Sequence, residues 1–388
     1  MFIIKIYNVD NFYQTIIIGA GPGGLVAGKY LKDALILDKK RTLGSPVQCG
    51  EGISQKALDM QDIDPDPSWI SCNIHRMARY SPKGYSMGGY SSNPKGYIID
   101  REKFEKFLSR FCQARIRLDT KVISLDKKGK NWEIKTETGE IFLGKYVIAS
   151  DGPHSLVRRK FFPNTQRKLS FFCGIGYLVE FDQEIDTKTA EFHLDNEFYK
   201  NGYGWFFPKS KTSANIGIGG DRVKWNMFEE FLADKIKSRF GDFKILKNRS
   251  GVVPSGGFQG EICKDGLMLV GDAAGLADPI FDGGMTQAMQ SAKIATKCIL
   301  EDRVESYEEE IKNRPFSNPR ILEAKKAFYS LDNESLNELG KLLDNKSSSY
   351  LKTFSGLIKV FSNKTLRKNK RNLYNFFSVW VRVKDYLW

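Results

Sequence analysis

Apolar residues along this chain fall into three patterns: continuous runs, a three-to-four-residue recurrence and alternation. Each predicts a different element. Thr15–Ile18 is a short β-branched run, as expected of a parallel strand buried on both faces. A helical stretch from about Gly23 to Leu31 follows, then a second run at Ala34–Leu37. Tyr97–Ile99 leads from a strand into a helix near Arg101, and Tyr146–Ala149 and Gly266–Val270 are further buried strands. Gly284–Leu300 reads as a helix carrying Met285, Ala288, Met289, Ala292 and Ala295. From about Lys168 to Val253 the pattern turns to strands at Phe171–Phe181, Thr189–Leu194, Gly204–Pro208 and Ala214–Gly219, which predicts an antiparallel sheet. Tyr203, Trp205 and Phe207 share one parity, so in an extended strand they line one face. Beyond Arg320 the pattern is helical, ending in a stripe of Leu373, Phe377, Trp380, Val383 and Leu387.

The expected fold is α/β, α+β overall: a Rossmann-like nucleotide-binding domain, an antiparallel-sheet domain and a C-terminal helical region. The expected boundaries are residues 1–165 plus 254–300 for the first, 166–253 for the second and 301–388 for the third.

The chemistry concentrates in glycines. Gly19-x-Gly21-x-x-Gly24 follows the first strand and opens the first helix. In such a turn the first glycine permits the bend, the second lets backbone approach a pyrophosphate, and the third lets helix pack on strand. Asp38 ends the second strand, placed to accept hydrogen bonds from a ribose. A second segment, Gly271-Asp272-Ala273-Ala274-Gly275 with Pro279 and Gly283-Gly284, closes the Gly266–Val270 strand and precedes a helix. A carboxylate there suits a ribityl hydroxyl, which only a flavin carries, and the helix N-terminus can face the flavin C2 carbonyl. The two segments together predict FAD. No second G-x-G-x-x-G unit appears, so a nicotinamide donor is expected to bind only transiently.

Arg101 at the start of its helix, and Asp151-Gly152 after the Tyr146–Ala149 strand, resemble the FAD superfamily of p-hydroxybenzoate hydroxylase. That resemblance implies that Arg101 and Asp151 lie at the cofactor. Two further segments are similar to the geranylgeranyl reductase family, especially its archaeal branch. They are Pro46-Val47-Gln48-Cys49-Gly50-Glu51-Gly52 and Tyr203-Gly204-Trp205-Phe206-Phe207-Pro208 followed by Gly217-Ile218-Gly219. The resemblance spans about Ile16 to Leu300 and implies reduction of isolated carbon–carbon double bonds in a geranylgeranyl lipid or diphosphate. It implies Cys49 and Gly50 beside the flavin. It also implies Tyr203, Trp205, Phe207, Pro208, Gly217 and Gly219 on the substrate side. Cys49 either positions and protonates the alkene or only shapes its loop. The family usually has a small residue at the position of Asp282, which here either lowers the flavin potential or caps the helix behind it. On the same scaffold, a monooxygenase and a flavoprotein dehydrogenase passing electrons to quinone stay open. The donor is either NAD(P)H or ferredoxin.

Charge adds one element. The chain carries a net +14, and from Lys341 to Trp388 it has eleven basic residues against two acids. Lys364, Arg367, Lys368, Lys370 and Arg371 precede the last apolar stripe, a pattern suited to an anionic membrane. No recognition motif for nucleic acid accompanies it. Met1–Ile6 is too short for a secretory signal. The expectation is a cytoplasmic protein, peripheral on the inner face of the membrane. Three histidines and six scattered cysteines leave no metal site and no disulfide framework to expect.

Overall fold

The computed structural model describes residues 11–346 and 354–383; Met1–Ile6 and Leu387 lie outside this range. The core of the first sheet is parallel, in the order Leu267–Leu269, Ile141–Ala149, Phe12–Ile18, Ala34–Leu37, Arg115–Arg117. Ile16, Ile17, Ile36, Val147 and Ile148 are fully buried, as the continuous apolar runs of a parallel sheet require. A hairpin, Val122–Lys128 and Asn131–Thr136, extends from Ile141–Ala149. The helices Pro22–Tyr30 and Met285–Leu300 pack on each other over this sheet. A side chain at Gly23 would sit 3.1 Å from the Ala288 carbonyl oxygen, so the glycine sets how closely they approach.

A second sheet of seven strands runs Phe243–Pro254, Phe171–Phe181, Ser213–Gly220, Tyr203–Pro208, Thr189–His193, Arg76–Tyr80, Ser86–Met87. Its pairs are antiparallel except Thr189–His193 with Arg76–Tyr80, which are parallel. The last two strands come from a part of the chain whose alternation is too weak to read as sheet. A small third sheet, Gly52–Ser54, Gly96–Ile99 and Ile70–Ile74, carries the chain out of the loop that holds Cys49.

The C-terminal helices close the second sheet. Lys370–Val383 buries Leu373, Phe376 and Val379 against Arg320–Tyr329, with Phe376 and Phe328 stacked at 4.7 Å. Trp380 reaches Phe281 at 5.5 Å. Much of the apolar stripe is therefore spent on packing, while Lys364, Arg367, Lys370 and Arg371 remain exposed. No helix among the described residues is long and apolar enough to cross a membrane.

Candidate active site

One cavity of about 720 Å³ lies between the two large sheets. Its first wall is the glycine turn. Gly19 adopts φ +102°, and a side chain there would strike the Ser150 carbonyl; one at Gly24 would overlap the Gly19 carbonyl oxygen at 1.9 Å. Gly21 differs, because its missing side chain leaves open space and it lines the cavity. The helix it caps has no side-chain cap and no acid in its first turn. Met285–Leu300 begins the same way at Gly284, and Met285 to Ala288 line the same cavity. Two uncapped helix N-termini thus open on one space, an arrangement that favours anionic groups.

Polar side chains mark the length of this wall. Asp38 accepts from the amides of Ala20 (2.6 Å) and Lys40 (2.8 Å), so it braces the glycine turn while facing the cavity. Asp151 lines the cavity and accepts from Leu156 N–H at 2.8 Å through one oxygen; its other oxygen is buried with no partner. Arg101 is fixed by Glu105 at 2.6 Å. Asp272 lines the cavity, and burial pushes its carboxyl up to about 6 against the opposing pull of Arg101 and Arg158. Arg158 is not a solvated charge. It is 1% exposed and holds the carbonyls of Asp272 and Ala273, each at 2.9 Å. Gly283 and Gly284 line the cavity as well. Gly271 instead packs beneath Ala288, and Pro279 is buried in the following turn.

The Cys49 loop crosses the middle of the cavity. The Ser45–Pro46 peptide is cis, and Glu51 has φ +66°. Cys49 Sγ accepts the Glu51 N–H at 3.2 Å, and Cys49 and Gly50 both line the space. Glu51 itself is 2% exposed and turns inward. Its carboxylate accepts from Arg101 N–H at 3.0 Å and lies 3.1 Å from Lys209 Nζ and 3.0 Å from Arg249. Sequence reasoning assigned Glu51 no role, because both cations come from distant strands.

The far wall is aromatic: Phe172, Phe192, Tyr203, Trp205, Phe207 and Phe281. Phe192 packs on Tyr203 at 5.3 Å and on Phe207 at 5.2 Å. Gly217 and Gly219 do not line the cavity; they make room for its rings. A side chain at Gly217 would meet the Trp205 ring at 2.2 Å, and one at Gly219 the Phe172 ring at 2.1 Å. Pro208 ends its strand, buried, outside the cavity lining.

Of the two readings offered for Asp282, the helix cap is not met. The helix start at Gly284 has no side-chain cap, so Asp282 is not a helix cap. Burial pushes its carboxyl well above the usual range, opposed by Lys325. The turn it occupies is clamped instead. Asp278 accepts from the amides of Ile280 and Phe281, while the hydroxyls of Tyr329 and Tyr203 donate to the carbonyls of those two residues.

Solved structures share this architecture. A halogenase in complex with phloroglucinol and FAD is 14% identical with a TM-score of 0.63, covering 96% of both chains, which shows a shared fold. A geranylgeranyl bacteriochlorophyll reductase-like protein from Thermoplasma acidophilum is 26% identical with a TM-score of 0.81, covering 93% of this chain and 99% of that one. Residues 173–253 match the geranylgeranyl reductase catalytic domain. The digeranylgeranylglycerophospholipid reductase of Methanocella arvoryzae is 31% identical over 74% of this chain and 77% of its own. Digeranylgeranylglycerophospholipid reductase 2 of Methanococcoides burtonii is 31% identical over 94% of this chain and 97% of its own. The chain belongs to the geranylgeranyl reductase family.

Proposed function

We propose that this protein is an FAD-dependent reductase that saturates double bonds of geranylgeranyl chains in archaeal-type membrane lipid precursors. The observation that carries the reading is the single cavity. It joins two open helix N-termini and a bare Gly21 to a wall of six aromatic side chains, with the Cys49 loop between them. Its volume falls in the range of small-molecule sites.

The residues present fit FAD. Gly19, Gly21 and Gly24 form the turn for its pyrophosphate, Asp38 faces the ribose, and Arg101, Asp151 and Asp272 flank the path toward Gly283 and Gly284. Bound FAD supplies the hydride equivalent for the alkene. The chain's own part is to exclude water and hold each double bond in reach. Trp205, Phe207 and Tyr203 form the face for the prenyl chain. Cys49 is the proposed proton carrier: it lines the cavity, and its sulfur is held in place by the Glu51 N–H. In the same reading residues 1–165 and 254–300 serve the cofactor, 166–253 the substrate, and the exposed basic face of 364–371 the anionic membrane that bears it.

The test is anaerobic incubation of dithionite-reduced holoprotein with geranylgeranyl diphosphate and with its glycerol ether phospholipid, read by mass spectrometry. Gain of two hydrogens per turnover is expected. Absence of any gain over repeated reductions, or oxygen-coupled hydroxylation, overturns the assignment. Parallel assays with NAD(P)H and with ferredoxin identify the donor.

A further inference from the structure

Asp282 lines the cavity beside Gly283 and Gly284 and is 8% exposed. Among the described residues neither of its carboxyl oxygens makes a hydrogen bond, and both are buried. Its neighbour Asp278 is spent on the turn, each oxygen accepting an amide. Asp282 also sits at φ +58°, an uncommon conformation for a residue with a side chain. A buried carboxyl left unbonded costs stability, and such groups concentrate where chemistry uses them.

A polar line leads away from this carboxyl. The turn packs on the Arg320–Tyr329 helix, through Tyr329 to the Ile280 carbonyl and through Phe328 against Phe281. That helix carries Lys325, whose ammonium donates to Ser255 Oγ at 3.0 Å. Ser255 is 1% exposed, while Lys325 is half-buried and brings the line to the surface. Burial raises the Asp282 carboxyl, and Lys325 and the Ser255 hydroxyl pull it back, so both lie close to it. The donors are ordered: Ser255 Oγ accepts from the ammonium, which leaves its own O–H to donate toward Asp282. The surroundings are apolar or committed. Ile280, Phe281, Ile321, Ala324 and Phe328 are buried, and the hydroxyls of Tyr203 and Tyr329 donate to main-chain carbonyls. The acids facing Asp282 are Asp278 and Asp221, and both raise its carboxyl. Toward the cavity, burial, Asp282, Asp278 and Cys49 all raise the Tyr203 hydroxyl, which places carboxyl and thiol around one ring.

We propose that Lys325, Ser255 and Asp282 form a proton line that carries protons from solvent into the filled cavity. This rests on the reading of the cavity as the site of alkene reduction. Saturating one double bond consumes two electrons from the external donor and two protons. With FAD and a prenyl chain in the cavity, water is excluded from the place where those protons are used. In the line, the ammonium gives a proton through the Ser255 hydroxyl to the Asp282 carboxylate, and water at the surface reprotonates the amine. Asp282 releases the proton into the cavity, where each saturation and each flavin reduction consumes one. Ser255 and Lys325 act through Asp282 and touch neither cofactor nor substrate.

Two measurements test the line. The holoprotein, with a saturated phytanyl phospholipid present so that no alkene turns over, is reduced anaerobically by reduced methyl viologen, which carries no proton. Viologen absorbance follows the electrons and a pH-indicator dye follows proton uptake. In the wild type the two should keep pace. Asp282→Asn, a neutral side chain of the same shape, should delay proton uptake behind the electrons by about tenfold or more. Ser255→Ala and Lys325→Met should produce the same lag, whereas Ser255→Thr, which keeps the hydroxyl, should abolish it. In turnover, prereduced Asp282→Asn should saturate its first double bond at the wild-type rate and later ones about tenfold more slowly. Proton uptake in step with the electrons in all three variants overturns the line, even where alkenes are reduced normally. If no prenyl substrate is reduced but the lag appears, the functional reading fails and the proton line stands. Equal slowing of first and later bonds without a lag marks a packing role and overturns the proposal.

Discussion

Asn215 donates its side-chain amide to the main-chain carbonyl of Cys49 at 3.0 Å, tying the aromatic sheet to the loop that crosses the cavity. The other end of the same amide accepts Trp205 Nε1–H at 3.2 Å, so one fully buried side chain sets the spacing between the ring face and the thiol. Asn215→Leu keeps the volume and removes both bonds. It should cost about 1–3 kcal/mol of stability, measurable by urea unfolding. It should also lower alkene turnover more than it lowers FAD affinity. Equal losses in both would mean that Asn215 only supports the fold.

Cys49→Ser tests the thiol itself. The substitution keeps a small polar group in the loop, so dithionite should reduce the bound flavin at an unchanged rate. Alkene saturation should drop by roughly a hundredfold if the S–H carries the proton, in line with general-acid contributions. Unchanged saturation would remove Cys49 from the chemistry.

The glycines of the first turn separate folding from binding. Gly24→Ala places a carbon on the Gly19 carbonyl and should destabilise the apoprotein by about 1–3 kcal/mol or more. Gly21→Ala meets nothing, at an ordinary φ of −76°, and should leave the apoprotein melting temperature unchanged. Its methyl would occupy the cradle, so FAD affinity should fall by about tenfold or more. Calorimetry on both apoproteins and a flavin titration distinguish the two.

Glu51 balances two cations. Removing its charge by Glu51→Gln leaves Lys209 and Arg249 buried without a counter-ion, and the expected destabilisation is about 3–5 kcal/mol. A loss below ~1 kcal/mol in denaturant unfolding would show that the cations relax to water.

The raised carboxyls give the apoprotein a pH signature. Asp272 and Asp278 are each pushed up to about 6 from 3.8, chiefly by burial. Between these values the folded state binds more protons than the unfolded state, so stability should fall as pH rises from about 4 to 6 and level off above. Asp272→Asn, which cannot ionise, should flatten part of that slope. A slope unchanged in this variant would assign the whole effect to other groups.

What could be read in advance was whatever one stretch of chain writes by itself. The Gly19–Gly24 turn, Asp38 and the Gly271–Gly284 segment each carry their geometry locally, and the strand parity of Tyr203, Trp205 and Phe207 follows from a period of two. Glu51 was not legible, since its meaning lies in Lys209 and Arg249, which only the sheet brings near. Phe192 and Phe281 join the aromatic wall from separate segments for the same reason. Gly217 and Gly219 were legible as important but not as to why: their bare Cα atoms serve neighbouring rings. Asp282 shows the limit of local reasoning about charge, because the burial that raises its carboxyl is contributed from elsewhere in the fold.

The seating of Trp205 on Gly217 and of Phe172 on Gly219 means that the chamber is gauged from beneath. Exchanging a ring alters the wall's surface, whereas a single added carbon below would lift the whole ring toward the lumen. In the proposed reading, chain-length preference would then be set at two positions outside the cavity lining. Comparing relatives by their lining residues alone would overlook the pair that governs bore.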